Sequence, residues 1–371
     1  MNNHNTSYER YSRQLLLKEF GEAGQQKLFQ AKVLVVGAGG LGCAALPYLA
    51  AAGVGTIGII DDDVVALHNL HRQVLYAVQD IGLSKAKQAA AVLRKLNPDI
   101  IVEAFNERLT VTNALGLLNK YDIIIDGTDN FSARYMINDA CVLLNKPLVY
   151  GAVSKFEGQV AIFNCTMNNN EMPVNYRDLF PQPPAAGEVA NCAEAGVLGV
   201  LPGIIGSMQA NETMKLLSGM GTPLINRLLT FNALSNHFFE FALTAGKQTR
   251  NLIPADAAAF AQTDYDWLCG INTSSVIDAK KFDELRIKDN VLIVDVREFD
   301  EMPAVHEFQH IHIPLAGIKE ALPDTENDTI IVFCQSGKRS LQAAKLLADK
   351  FGSTKKIYSL AEGILQWKHQ Q

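Results

Sequence analysis

The sequence predicts an α/β protein in which a doubly wound, mostly parallel sheet is followed by a second, smaller α/β domain. Three observations predict it. Short, uncharged, β-branched runs alternate with helical patterns, as expected of strands buried on both faces. A glycine cluster, Gly37, Gly39, Gly40 and Gly42, separates the first such run from the first helical pattern. The chain is 371 residues long, and at roughly 100–200 residues per domain that length suits two.

The elements follow in order. The N-terminal residues carry an amphipathic helical pattern. Lys32–Gly37 reads as a central strand, 41–52 as a helix and Thr56–Ile60 as the next strand, ending at Asp61-Asp62-Asp63. Ser84–Leu96 reads as a helix stopped by Asn97-Pro98. Strands are expected at Ile100–Ala104, Ile123–Asp126, Leu148–Tyr150 and Val160–Phe163, with a helix over 133–145. Residues 164–191, rich in Asn and Pro, predict a mobile crossover loop, because helical patterning resumes at 203–217. The domain boundary is expected in a linker at 251–272, leaving domains 1–250 and 273–371. The second domain holds strands Val291–Val296 and Thr329–Phe333 and a helix Ser340–Phe351.

The span Val33–Ile60 carries no charge and is long enough to cross a bilayer. Its seven glycines and Pro47 punctuate it into strand, helix and strand, so a buried βαβ unit explains it better. The composition, 48% hydrophobic and 19% charged, excludes a disordered chain. The net charge of −6 argues against nucleic-acid and anionic-membrane partners. No basic stretch followed by an apolar run opens the chain, so a cytoplasmic protein with reduced thiols is expected.

The glycine loop allows a tight turn and brings backbone N–H groups to a phosphate at a helix N-terminus. Alone it suits an NAD-dependent oxidoreductase as well as an ATP enzyme. Asp61, after the second strand, is placed to accept ribose hydroxyls of either nucleotide. His68-Asn69-Leu70-His71-Arg72-Gln73 and Gly82-Leu83-Ser84-Lys85 then add two cations. Hydride transfer leaves its pyrophosphate intact, whereas cleaving a triphosphate requires the leaving group's charge to be neutralised. Asp126-Gly127-Thr128-Asp129-Asn130 ends a strand where a carboxylate can hold Mg²⁺ on phosphates.

Glu9-Arg10-Tyr11-Ser12-Arg13-Gln14, the glycine loop, Asn69–Gln73, Gly127–Asn130 and Cys192-Ala193-Glu194-Ala195-Gly196-Val197 together resemble the MoeB/ThiF family. These are relatives of ubiquitin-activating enzymes, and the resemblance runs over about residues 8–245. It implies a Rossmann-like, ubiquitin-activating-enzyme-like domain that uses ATP and Mg²⁺. Its substrate would be the C-terminal glycine of a small ubiquitin-fold sulfur carrier ending in Gly-Gly. The resemblance assigns Asp61 to the ribose, Arg72 and Lys85 to the phosphates, Asp129 to Mg²⁺ and Asn69 to the α-phosphate. It also implies a homodimer in which Arg13 reaches the neighbouring subunit's ATP, and in some relatives a cysteine at the position of Cys192 links covalently to the carrier. One departure stands out. Many relatives hold structural zinc through two C-x-x-C pairs, but the corresponding stretch here, Met172–Asp178, has no cysteine and no second pair follows, so no zinc is expected.

Of the six cysteines, Cys43 and Cys141 fall in apolar helical patterns and Cys165 and Cys269 attract no role. Cys334-Gln335-Ser336-Gly337-Lys338-Arg339-Ser340 is different, because it follows an apolar strand and opens a helix. Converging N–H groups, two cations and the helix dipole favour a thiolate or persulfide there. This loop resembles a rhodanese active-site loop, with Ile293–Glu298 and Glu362–Trp367 as flanking motifs, over about residues 273–371. The usual Gly-His-Ile is altered to Gln309-His310-Ile311.

The two halves form one chemical scheme. Adenylation turns a carboxylate into a mixed anhydride, and a Cys334 persulfide, loaded from a persulfide or thiosulfate donor, supplies the sulfur of a thiocarboxylate. Such chemistry serves molybdopterin, thiamine-thiazole or related biosynthesis. An NAD-dependent oxidoreductase and a non-catalytic carrier-binding scaffold are the alternatives.

Overall fold

A computed structural model describes residues 3–166, 171–183, 196–268, 275–322, 325–351 and 354–369. The chain divides into two compact units, the larger spanning Met1–Gln182 and Val189–Thr263, the smaller Asp264–Gln371.

The larger unit is built on strands β1 (Lys32–Val36), β2 (Thr56–Ile60), β3 (Ile101–Phe105), β4 (Ile123–Asp126), β5 (Leu148–Ser154), β6 (Glu157–Phe163), β7 (Arg227–Asn232) and β8 (His237–Ala242). They form one sheet in the order β3-β2-β1-β4-β5-β6-β7-β8. The first five are parallel and the last three antiparallel. Val33, Leu34 and Val35 are fully buried, each contributing about 1.5–3 kcal/mol by the usual side-chain scale.

Helices α1 (Asn3–Leu15), α2 (Gly21–Gln30), α3 (Gly40–Ala52), α4 (Lys85–Leu96), α5 (Ala114–Leu118), α6 (Phe131–Leu144), α7 (Tyr176–Leu179) and α8 (Val200–Ser218) accompany the sheet. Local chemistry sets their ends. Gly53 stops α3 in the left-handed region at φ +86°, where a Cβ would lie 2.7 Å from the Tyr11 ring. Ser84 and Asn130 cap α4 and α6 by accepting from the backbone N–H of Lys87 and Ala133. None of the described helices is long and apolar enough to cross a membrane.

The crossover segment differs from the sequence expectation where it is described. Residues 173–180 are anchored: Asn175 caps α7, and Arg177 makes a buried two-point pair with Asp139 of α6, at 2.8 and 2.7 Å. Tyr176 packs edge-on against Tyr135, 5.0 Å between ring centroids. Turn-forming residues made this stretch read as loop, whereas buried tertiary partners fix it.

Short helices α9 (Ala257–Gln262) and α10 (Tyr265–Leu268) lie within 251–272. The smaller unit has a parallel sheet of β9 (Ser275–Ile277), β10 (Val291–Asp295), β11 (Ile311–His312), β12 (Thr329–Phe333) and β13 (Lys356–Leu360), in the order β11-β10-β12-β13-β9. Helices α11 (Ala279–Arg286), α12 (Ile318–Ala321), α13 (Lys338–Phe351) and α14 (Gly363–His369) complete it. Alternation along β12 splits the core: Ile330 and Val332 pack with Ala343 and Leu347, while Ile331 and Phe333 pack with Phe282 and Trp367. Cys334 therefore emerges at the carboxyl end of a central strand.

Candidate functional site

In the larger unit, sheet order reverses between β1 and β4, and open α/β sheets bind ligands at that point, beyond the strands' carboxyl ends. Val36 and Asp126 are in register, so Gly37 and Gly127 leave the sheet side by side. Gly37 has φ +92°, and a Cβ on it would lie 2.8 Å from the Gly127 carbonyl oxygen. Gly39 is the N-cap of α3 and offers no capping side chain, so the helix's leading N–H groups face outward for an anion. A Cβ on Gly42 would meet the Gly37 carbonyl oxygen at 2.1 Å, and one on Gly40 would meet Pro202 at 2.8 Å.

The peptide of Ala38 is fixed from both sides. Its N–H donates to Asp61 Oδ2 at 2.7 Å, and its carbonyl accepts from the Tyr76 hydroxyl at 2.9 Å and Cys43 Sγ at 3.2 Å. Asp61 Oδ1 accepts from the Asp63 N–H at 2.8 Å. Burial raises the Asp61 carboxyl above its ordinary value, and the two backbone N–H bonds oppose that rise. Burial also pushes the Cys43 thiol up to about 12, so Cys43 is a packing residue that holds the loop.

Tyr76 also donates to the Lys85 carbonyl, at 3.2 Å, tying the glycine loop to the start of α4. Lys85 is buried and its Nζ pairs with Asp63 Oδ2 at 2.8 Å. The Asn69 side chain accepts from the Ala66 N–H, while its carbonyl accepts from the N–H groups of Arg72 and Gln73, each at 3.0 Å. Asn69 thus shapes the turn that carries Arg72. Arg72 Nη1 donates to the His68 carbonyl at 3.1 Å and to His71 Nε2 at 2.9 Å. Its Cγ lies 3.7 Å from the position of a Cβ on Gly40, beside the loop.

Asp126 is fully buried and organises the turn after β4. Its Oδ1 accepts from the Thr128 N–H and hydroxyl, at 2.9 and 2.6 Å, and its Oδ2 pairs with Arg134 Nε at 3.3 Å. Gln209 Nε2 donates to the Asp126 carbonyl at 2.7 Å. Asp129, at the crest of this turn, is exposed and has no hydrogen-bond or ion-pair partner among the described residues. A free carboxylate beside an anion-binding loop fits Mg²⁺, which takes one or two protein carboxylates and completes its shell with phosphate and water.

The structure therefore gathers the glycine loop, Asp61, Asn69, Arg72, Lys85 and the Asp129 turn. Arg13 is exposed in the last turn of α1, and among the described residues no hydrogen bond or ion pair joins it to this cluster. Cys192 lies outside the described residues. Sequence reasoning missed Tyr76, Arg134 and Gln209; for Arg134 and Gln209 the signal available was a charge or amide set inside an otherwise apolar helical pattern, and Tyr76, in a turn, carried none.

In the smaller unit Cys334 is 1% exposed. Its Sγ accepts from the Ser340 N–H of α13 at 3.3 Å and lies 3.5 Å from the Ser340 hydroxyl. Ser340 in turn donates to the Gly337 carbonyl at 3.0 Å. The Ile364 N–H donates to the Cys334 carbonyl at 2.8 Å, so the Glu362–Trp367 stretch backs the loop. Lys338 is exposed, whereas both Nη atoms of Arg339 pair with the Glu301 carboxylate, which the sequence reading missed. Behind the loop Arg297 binds Asp295, with Nη2–Oδ2 at 2.6 Å, and His312 Nε2 lies 2.8 Å from the Arg297 carbonyl. The altered Gln309-His310-Ile311 stretch thus still leads into a packed strand.

Residues 11–252 match the ThiF family and residues 278–370 the rhodanese-like domain. This chain belongs to the ThiF family. Its ThiF part is 48% identical over 264 residues to the "Sulfur carrier protein adenylyltransferase" of Thermus thermophilus, covering 71% of this chain and 97% of that protein. Over nearly the whole ThiF–rhodanese chain it is 41% identical to "Adenylyltransferase and sulfurtransferase MOCS3" of Arabidopsis thaliana, covering 96% of this chain and 82% of that one. The ThiF fold is also that of the microcin C7 biosynthetic enzyme MccB, solved in complex with N-formylated MccA. That likeness has a TM-score of 0.56 at 22% identity and covers 66% of this chain and 74% of MccB.

Proposed function

We propose that this chain adenylates the C-terminal glycine carboxylate of a small ubiquitin-fold sulfur carrier ending in Gly-Gly, and then delivers sulfur to it from Cys334. One observation carries the reading. Asp61, Arg72, Lys85 and the free Asp129 carboxylate surround a single phosphate-ready glycine loop, in the same chain as a cysteine seated at a helix N-terminus. The relatives' names favour carboxylate activation over hydride transfer.

In this reading Asp61 accepts the ribose hydroxyls and the α3 N–H groups bind phosphate. Arg72 and Lys85 balance the charge that builds on departing pyrophosphate, Lys85 exchanging Asp63 for it. Asn69 faces the α-phosphate. Asp129 holds Mg²⁺, which would neutralise triphosphate charge when bound. Arg13 reaches the nucleotide of a second copy, in a homodimer. The carrier carboxylate attacks the α-phosphorus, and pyrophosphate leaves.

The terminal sulfur of a Cys334 persulfide then attacks the acyl carbon and AMP leaves. A second thiol cleaves the resulting S–S bond, releasing the thiocarboxylate and leaving a disulfide. Cys334 is nearly buried, but an S–S bond of about 2.05 Å sets the reacting atom one bond beyond Sγ. An external dithiol reduces that disulfide, becoming oxidised in turn, and a persulfide or thiosulfate donor then recharges the freed Cys334 thiol. Cys192 is a candidate for the second thiol.

The test is ATP–pyrophosphate exchange with a Gly-Gly-ending carrier. Asp129→Ala should lower exchange by about 100-fold or more. Cys334→Ser should keep exchange and lose thiocarboxylate. Full exchange in the first variant removes Asp129 from the Mg²⁺ role, and thiocarboxylate made by the second removes Cys334 from sulfur delivery.

A further inference from the structure

The resemblance to zinc-holding relatives and the residues of this chain disagree. A structural zinc of the C-x-x-C type needs four thiolate or imidazole ligands. The stretch that takes the place of the first pair, Met172–Asp178, supplies Met and Asn instead, and no C-x-x-C pair occurs in the sequence. No group of three or more His, Cys, Asp or Glu suited to a metal occurs among the described residues. The donor set does not fit zinc.

The segment is nonetheless tied to the chain that follows β8. Asp178, on α7, is the knot. Its Oδ2 accepts from the backbone N–H and side-chain amide of Asn175, both at 2.8 Å. Its Oδ1 accepts from the Gly246 N–H at 2.9 Å and from the Thr249 hydroxyl. A second tie runs beside it, from Arg250 Nη2 to the Pro173 carbonyl at 3.3 Å. One carboxylate thus receives four donors, two from Asn175 in its own segment and two from Gly246 and Thr249, 68 and 71 residues further along the chain. Hydrogen bonds to a charged acceptor are about twice as strong as neutral ones, which is why a single Asp can serve here.

We infer that Asp178 is a metal-free clasp: it joins the crossover segment to residues 246–250, the task that structural zinc performs in relatives. The clasp orders α7, and through Arg177 and Tyr176 it seats that helix against α6, which begins at the Asp129 turn. The clasp holds the segment whatever reaction the nucleotide site carries out.

The test uses the full-length protein and reads metal content and thermal midpoint. Purified protein should contain far less than about one zinc per chain. Its midpoint should shift by less than about 1 °C after exhaustive treatment with a strong zinc chelator. Asp178→Ala should lower the midpoint of the larger unit by about 4–10 °C, and Thr249→Val, which removes one of the four donors, by about 2–4 °C. Should Asp178→Ala fail to fold, the Thr249→Val shift remains the measure. Stoichiometric zinc with a chelator-induced fall in midpoint would overturn the clasp. So would a Thr249→Val midpoint equal to wild type. Wild-type protein without carrier-dependent adenylation, beside the lowered variant midpoints, would speak against the proposed reaction and leave the clasp intact.

Discussion

Gly363→Ala isolates the sulfur-bearing loop. Gly363 has φ +71°, and a Cβ there would lie 2.4 Å from the carbonyl carbon and oxygen of Gln335 and 2.5 Å from the carbonyl oxygen of Cys334. Unstrained carbon contacts are about 3.5–4.0 Å, so the Cys334 loop must retreat by about 1 Å. The left-handed φ adds about 1–2 kcal/mol and overpacking about 1–3 kcal/mol, so the variant should be less stable by about 2–5 kcal/mol in this unit. The same retreat misplaces Cys334, the proposed nucleophile, and an error of about 1 Å at a reacting group can cost about 100-fold in rate. The assay is sulfur transfer to cyanide from a persulfide donor, run beside carrier-dependent pyrophosphate exchange. Transfer should fall by about 100-fold while exchange stays within about twofold, since Gly363 belongs to the smaller unit. A Gly363→Ala protein that transfers sulfur within about threefold of wild type would refute the claim that this glycine sets the loop's position.

Two further outcomes follow from buried or paired charge. Asp126→Ala leaves Arg134, 7% exposed, without its counter-ion and strips both Thr128 donors of their acceptor; urea unfolding of the larger unit should show a loss of about 3–5 kcal/mol, and a loss under about 1 kcal/mol would contradict the pair's role. The Arg339 hydrogen bond draws the Glu301 carboxyl down to about 2, so its contribution is present above the ordinary carboxylate range and is lost as pH falls towards 2. The difference in thermal midpoint between wild type and Glu301→Gln should therefore be largest near neutral pH and vanish on acidification. A difference that is constant with pH would break the link.

The strands and helices that frame the nucleotide site were legible because each carries its own signal. β1 and β4 are buried on both faces, so uninterrupted apolar runs marked them. The hairpin β7–β8 was not read. All six residues of His237–Ala242 are exposed, so Phe238, Phe239 and Phe241 follow no alternation that a strand pattern requires. The anchoring of 171–180 was illegible for the opposite reason. Asn175, Arg177 and Asp178 read as loop polarity, and their partners, Asp139 on one side and Gly246 and Thr249 on the other, lie about 40 and 70 residues away along the chain.

The sequence by itself determined the two α/β units, the phosphate-ready glycine loop, the acidic and basic residues around it and the cysteine at the head of a helix. All of these are local patterns of glycine, charge and hydrophobic period, which act over a few residues. Tertiary structure alone decided which polar groups are partnered. Lys85 rests on Asp63, Arg339 on Glu301 and Arg134 on Asp126, while Asp129 is exposed and unpaired among the described residues. It also decided that a carboxylate at Asp178 ties the crossover segment. Pairing depends on distances through space between residues far apart in the chain, and no spacing rule along the sequence encodes those distances.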